Sequence, residues 1–365
     1  MKILCDRQQL QEAFTVVGGI PPQKTTKPVI QNVLLRATDA GVTLYATDLE
    51  LSAKVGVEAV KVSEPGAVLL PARETSALLR ELSDPTLTLT GKDDRCSIDS
   101  GTGSFVLLGE DPEQFPPEPT FKQGIELQLP VTDFLEMIRR TSFAAAREET
   151  RYAINGLLFD YKGGCARLVG TDGRRLALCY VNLQGPETDC RVVVPIRALN
   201  ALAKAVPEDL EEPLTLSIGQ NQIRFRLAGT ELVSQLLDNR FPEYEQVIPK
   251  AADSTIEIDR LQLEKNLRRV AVLSSGDVRM VRFHFEGSEL KLSAESSGVG
   301  RADLSMGVEL KGPGGAISFN PDYLLDALKV SDLEMVRIDM TDDSTPAKFT
   351  LGESYTYILM PISGS

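Results

Sequence analysis

The chain has no tryptophan, a single histidine, and five cysteines of which no two stand in a CxxC spacing. Each shortage removes a class of function. His284 lies in VRFHFEG, alternating with Phe283 and Phe285, which assigns it to a half-exposed sheet position without a histidine partner for a metal site or a nucleophile–base pair. Cys5, Cys96, Cys165, Cys179 and Cys190 are odd in number and scattered. They read as isolated core or surface thiols in a reducing cytoplasm, not as a disulfide framework or a zinc site. Neither a GxSxG elbow, an HExxH pair nor a P-loop occurs, and the Gly-rich string KGPGGAISF lacks the GK[ST] ending. No catalytic residue, metal ligand or cofactor is therefore expected. Long apolar runs are missing too. No segment approaches the ~18 residues that span a bilayer, and the opening MKILCDRQQL offers about four apolar residues, too few for a signal-peptide core. The expectation is a cytoplasmic chain that does not enter a membrane.

What the sequence does contain is a repeat. TDLELSAKV near Asp48 is echoed by TDGRRLALCY near Asp172, about 124 residues later, a period that suits a whole domain better than a solenoid unit. Other features return at the same offset. Leu10 and Phe14 correspond to Phe134 and Ile138, and a third helix pattern in DRLQLEKNLRRVAVL carries Leu263, Leu267 and Val270 on one face. Each helix is followed by a predicted hairpin, with Asp39-Ala40-Gly41, Lys162-Gly163-Gly164 and Glu286-Gly287-Ser288 at the turns. Second helices are expected to open at Pro71 and Pro195, with NPDYLLDALKV as the third copy. Alternating strands follow each. Pro-rich EDPEQFPPEP and DNRFPEYEQVIP place boundaries near 124 and 250. The pattern predicts an α+β fold of three domains, 1–124, 125–250 and 251–365, each with two helices on antiparallel sheets.

The formal net charge is -13, which on average disfavours nucleic acid, whose affinity for proteins comes from cations meeting phosphates. The average hides a pattern. Arg7, Lys24, Arg73, Arg80, Arg139, Arg140, Arg147, Arg151, Arg197, Lys204, Lys265, Arg268 and Arg269 fall in or beside the six repeated helices, together with acids such as Glu74, Glu81, Asp133, Glu136, Asp322 and Asp326, whereas acids dominate in stretches such as GEDPEQFPPEP. One reading is a set of ordinary solvated helix faces. The other is a mildly basic surface on an acidic particle.

The combination of RYAINGLLF, TDGRRLA and RFPEY with a terminal MP strand resembles the bacterial sliding clamps, the beta subunit of DNA polymerase III, over essentially the whole chain. The resemblance implies two crescent chains closing head to tail into a homodimeric ring around double-stranded DNA of any sequence. It implies a processivity factor without an active site, partnered by the polymerase III alpha subunit, the clamp loader, and other polymerases and repair proteins through short linear peptides. ATP would belong to the loader. In the peptide pocket the resemblance places Thr171, Gly173, Arg174, Arg175 and Leu176, with Ile154, Pro242 and Val247 from the middle block. The last block would add Tyr323, Ile358, Met360, Pro361 and Ile362. Leu176, Val247 and Met360 are expected to seat apolar anchors. For DNA, it points to Lys24, Arg73, Arg151, Tyr152 and Arg197 as sequence-independent phosphate contacts.

The sequence also departs from the family pattern. It ends MPISGS, without the arginine that relatives carry at the position of Ser363, and Gln246 stands where a cation is common. The edge segment SGTGSFVLL has neutral Thr102 and Ser104, and SAESSGVGRADL opposite has few acids. A dimer resting on strand pairing and apolar contacts, with weak salt dependence, is the expectation. Two other readings stay open on the residues alone: a hydrolase or transferase on a repeated scaffold, and a monomeric three-domain peptide adaptor.

Overall fold

The structure, a computed structural model, describes residues 1–122, 124–146, 154–207, 210, 212–238, 240–274, 279–296 and 298–362. Among these residues there are six α-helices: α1 (Arg7–Val17), α2 (Ala72–Glu81), α3 (Val131–Thr141), α4 (Ile196–Ala205), α5 (Arg260–Ala271) and α6 (Pro321–Lys329). They fall two to a block, as the repeat predicts.

Local chemistry sets where they begin. In DRQQL and DRLQL the leading aspartate caps the helix: Asp6 accepts from the Gln9 N–H at 3.0 Å and Asp259 from the Gln262 N–H at 2.7 Å. Asn320 does the same for Asp322 in α6, at 2.9 Å. Each such cap contributes about 1 kcal/mol. The second helices begin less simply than the prolines suggested. Pro321 is the first residue of α6, whereas Pro71 and Pro195 are the last residues of the strands preceding α2 and α4. Proline's fixed φ suits the end of an extended segment as well as a first turn.

The chain folds as two compact units, Met1–Thr132 with Arg197–Leu236 and Asp133–Ile196 with Leu237–Ser365. The middle sequence block contributes to both. In the first unit a five-stranded antiparallel sheet runs Val60–Glu64, Lys2–Asp6, Thr86–Lys92, Arg95–Asp99, Ser104–Leu108. An eight-stranded one runs Ile125–Leu129, Leu214–Ile218, Gln222–Leu227, Thr230–Gln235, Leu51–Val57, Gly41–Thr47, Asn32–Thr38, Gly66–Pro71. Helix α1 buries Leu10, Phe14 and Val17 against strands Gly41–Thr47 and Leu51–Val57 and against α2. Burial of each such side chain is worth about 1.5–3 kcal/mol.

The second unit has a nine-stranded sheet: Cys190–Pro195, Gly156–Lys162, Cys165–Thr171, Arg175–Asn182, Tyr355–Leu359, Ala347–Gly352, Met335–Met340, Ser254–Asp259, Glu309–Lys311. Its four-stranded sheet is Gly300–Gly307, Glu289–Ser296, Val281–Glu286, Gly315–Phe319. The predicted hairpins are present, and Gly163 and Gly164 supply the positive φ of their turn at 58° and 77°. His284 is half-buried on its strand between buried Phe283 and Phe285. Burial pushes the thiols of Cys5 and Cys96 up to about 12 and that of Cys190 up to about 11, which keeps them protonated and unreactive near neutrality. No helix among the described residues is long and apolar enough to cross a membrane.

Candidate functional site

In the second unit, TDGRR forms the turn between strands Cys165–Thr171 and Arg175–Asn182. The Thr171 hydroxyl donates to the Arg175 carbonyl at 2.6 Å and accepts from the Gly173 N–H at 3.1 Å. Asp172 Oδ1 accepts from the backbone N–H groups of Arg174 and Arg175 at 3.0 and 3.1 Å. Gly173 takes φ 85°, a conformation that costs other residues about 1–2 kcal/mol.

This turn fixes two arginines in opposite situations. Arg175 points inward, its side chain 9 % exposed. Its Nε donates to Asp172 Oδ2 at 3.0 Å, Nη1 to Asp326 Oδ2 at 2.7 Å, and Nη2 to the Phe143 carbonyl at 2.8 Å. The guanidinium also lies 4.4 Å from the Tyr323 ring centroid and 5.4 Å from that of Phe143. A nearly buried cation survives only with such a full partner set. Burial opposes its charge, but Tyr357, Asp326 and Asp172 together more than compensate, and its pKa lies above the ordinary value. Arg174 is exposed, and among the described residues its side chain has one hydrogen-bond partner, the Tyr323 hydroxyl 3.4 Å from Nη1.

The terminal strand completes the site. Leu176 pairs with Ile358 and Arg175 with Leu359, and the Met360 N–H continues the ladder by donating to the Arg174 carbonyl at 3.0 Å. Ile154, Leu176 and Ile358 share one apolar cluster with Phe241 and Tyr244, while the Tyr244 hydroxyl donates to Asp160 at 2.8 Å. Met360 and Val247 stay 41 % and 45 % exposed. A buried apolar floor, one exposed thioether and one exposed guanidinium can hold a short extended chain segment.

The first unit has a site of another kind. A cleft of about 1730 Å³ is lined by Lys24, Arg73, Arg80, Arg197 and Lys204, among other residues. Arg197 pairs through Nη1 with Asp48 Oδ2, and its Nη2 donates to the Ile20 carbonyl at 2.5 Å. Among the described residues no carboxylate lies within ion-pair distance of Lys24, Arg73, Arg80 or Lys204. Such unneutralised cations suit a polyanion.

Three family models match the chain in order: the DNA polymerase III beta subunit N-terminal domain over residues 1–119, the central domain over 128–243 and the C-terminal domain over 245–363. The chain belongs to the DNA polymerase III beta subunit family. It is 32 % identical to the beta sliding clamp of Chlamydia muridarum over 364 residues, 99 % of each chain. It is also 32 % identical to that of Salmonella typhimurium over 365 residues, 99 % of this chain and 100 % of the other. A crystal structure of the Pseudomonas aeruginosa sliding clamp bound to griselimycin superposes with TM-score 0.95 at 30 % identity, and that of the Thermotoga maritima beta subunit with 0.95 at 25 %, each covering both chains fully. The family is that of a non-enzymatic processivity subunit.

Within this sliding-clamp fold, the second unit holds Thr171, Gly173, Arg174, Arg175, Leu176 and Tyr323 together with the strand that carries Ile358. Met360, Pro361 and Ile362 continue from that strand, the Ile362 N–H donating to the Ser318 carbonyl at 2.8 Å. Pro242 is half-buried beside the short helix Tyr244–Val247, and Arg191 reaches its carbonyl at 3.4 Å. Leu176 is only 3 % exposed, whereas Val247 and Met360 are open to solvent. Lys24, Arg73 and Arg197 line the first unit's cleft; Arg151, Tyr152 and Ser363 lie outside the described residues. The sequence reading missed Asp172, Asp326 and Phe143 as partners of Arg175. For Asp326 a signal existed, since it follows Tyr323 by three residues in α6 and shares its helix face. For Phe143 there was none.

Proposed function

We propose that the chain is a ring-forming sliding clamp: two copies close head to tail around duplex DNA and tether the replicative polymerase through a short peptide segment. The observation that carries this reading is the ordered match of three successive beta-subunit domains along the chain. The domain limits we adopt are residues 124 and 250.

Two features support the closure. The edge strand Ser104–Leu108 leaves Phe105, Val106 and Leu108 exposed at 37, 58 and 63 %. The edge strand Gly300–Gly307 is exposed along most of its length, next to exposed Val299. Unpaired edges with apolar side chains are templates for strand addition. In a head-to-tail pair the first edge of one copy would meet the second edge of the other. The charges on the second edge are already satisfied within it, Arg301 Nε lying 2.6 Å from Asp303 Oδ2, so ionic strength should affect dimerisation weakly.

The cleft cations Lys24, Arg73 and Arg197, with Arg151 and Tyr152, would touch phosphates without reading sequence. A lining of this modest charge lets the ring slide, and retention is topological. The pocket around Thr171, Leu176, Val247, Tyr323 and Met360 would receive peptides from the polymerase III alpha subunit, the clamp loader, and other polymerases and repair proteins. Such a chain works in the cytoplasm, in keeping with its scattered free thiols. The test is retention on DNA: the protein is loaded on a nicked circle with a clamp loader and ATP, free protein is removed, and the circle is linearised. Loss from the linear form but not from the circle is expected. Equal retention on both would mean ordinary surface binding.

A further inference from the structure

We infer that the first unit carries a second, silenced copy of the peptide-pocket frame, and that Ser52 and Lys54 are the residues that silence it. The inference rests on the pocket reading above but concerns a different surface, contained within Met1–Thr132 and Arg197–Leu236.

The two surfaces share one backbone frame. In the first unit Leu34 pairs with Tyr45 on one side and Leu69 on the other; in the second, Leu158 pairs in the same way with Val169 and Val193. A phenylalanine of the following linker, Phe115 or Phe241, packs on each set. A strand from the next sequence block closes both frames. Ser52 pairs with Val233 and the Gln235 N–H donates to the Glu50 carbonyl at 2.8 Å, just as Leu176 pairs with Ile358 and the Met360 N–H donates to the Arg174 carbonyl at 3.0 Å. Each linker is held over its sheet by a tyrosine, supplied from opposite sides. The Tyr45 hydroxyl of the strand donates to the Pro117 carbonyl of the linker at 3.3 Å, whereas the Tyr244 hydroxyl of the linker donates to Asp160 of the strand at 2.8 Å.

The frames differ where an apolar anchor would sit. In the positions of Leu176 and Leu178, which are 3 and 8 % exposed, the first unit has Ser52 and Lys54. The Ser52 hydroxyl donates to the Val233 carbonyl at 3.4 Å, and Lys54 Nζ lies 2.8 Å from Glu118 Oε2 in the linker. Gln235 stands in the place of Met360. An apolar side chain entering there would meet a hydroxyl, an ammonium and an amide. Seating it would break the Lys54–Glu118 pair and strip water from polar groups, with little apolar area buried against it. The backbone of the first unit repeats the pocket, and its side chains close it to an apolar segment.

The experiment uses the full-length protein and an end-capped peptide with Leu and Phe anchors and a benzophenone photo-crosslinker. Peptide bound per chain is measured by titration calorimetry, and crosslinks are mapped by mass spectrometry. The parent should bind one peptide per chain and crosslink in the second unit only. Ser52→Leu/Lys54→Leu/Gln235→Met should raise the stoichiometry to two, with new crosslinks along Phe115–Glu118. If the buried Ser52→Leu change abolishes the cooperative melting transition, Lys54→Leu/Gln235→Met carries the test, because both side chains are only half-buried. First-unit crosslinks absent from the parent are then expected. A folded triple variant that still binds one peptide would overturn the inference and leave the pocket reading intact, as would a double variant without first-unit crosslinks where the triple does not fold. A parent that already crosslinks in the first unit would overturn it too, since that copy would not be silent. Absence of peptide binding by the parent would remove the pocket reading and the inference together.

Discussion

The turns at Asp48 and Asp172 are the same piece of backbone chemistry put to two uses. In each, a threonine hydroxyl donates to the carbonyl four residues on and accepts from the N–H two residues on: Thr47 at 3.1 and 2.9 Å, Thr171 at 2.6 and 3.1 Å. In each, aspartate Oδ1 accepts two consecutive backbone N–H groups, and Oδ2 holds an arginine. Even the left-handed residue coincides, with Leu49 at φ 82° and Gly173 at φ 85°. The difference lies in the arginine. Arg175 comes from the turn itself and is 9 % exposed, whereas Arg197 comes from the start of α4 and is 51 % exposed. One duplicated turn thus buries its own arginine in one unit and orients a cation toward a cleft in the other.

That comparison breaks most visibly at the arginines. Arg175→Ala leaves Asp172 and Asp326 facing an emptied, partly buried site. After discounting for the half-exposed Asp326, the expected loss is about 2–3 kcal/mol. For a unit of this size that lowers the melting temperature of its transition by about 5 °C or more, and peptide binding should fail with it. Arg197→Ala removes a side chain half in solvent and should change stability by no more than about 0.5 kcal/mol. Calorimetry on the two variants decides the matter: similar destabilisation would mean that burial does not distinguish the two arginines.

Exchanging the left-handed residues sharpens it further. Gly173→Leu imposes on the second turn what the first already bears, at an expected cost of about 1–2 kcal/mol. The reverse change, Leu49→Gly, relieves that strain but gives the unfolded chain more freedom, so a net gain of about 0.5 kcal/mol is expected. Denaturation midpoints moving in opposite directions are the predicted signature. A loss of stability in Leu49→Gly would show that the exposed leucine makes contacts outweighing its strain.

Much of this was legible in the residues. The helix faces and the hairpin turns follow from period and turn chemistry, which act within a few residues. The Thr-Asp pairs stood out as an echo for the same reason. What the sequence did not disclose was long-range: that Arg197 would find Asp48, that Asp326 and Phe143 would meet Arg175, and that Leu176 would be almost fully buried. Those placements depend on which strands pair, and nothing in the local pattern of TDGRRLALCY specifies Tyr355–Leu359 as its neighbour. The compact units likewise cut across the repeat, because compactness follows strand pairing and the repeat follows chain order.

The smallest effect tests the exposed arginine most directly. Asp48 neutralises Arg197 in the cleft, so Asp48→Asn should keep the turn, since an amide oxygen can still accept from Glu50 and Leu51, while releasing the guanidinium's full charge. Weak equilibrium binding to a short duplex should then tighten by about twofold, with the slope of log K against log salt steeper by up to ~0.9, the contribution of one phosphate contact. Asp172→Asn should leave that slope unchanged, because its arginine faces no polyanion in this reading. If Asp48→Asn binds duplex as the parent does across the salt series, Arg197 is a structural cation like Arg175, and the two turns differ in exposure but not in use.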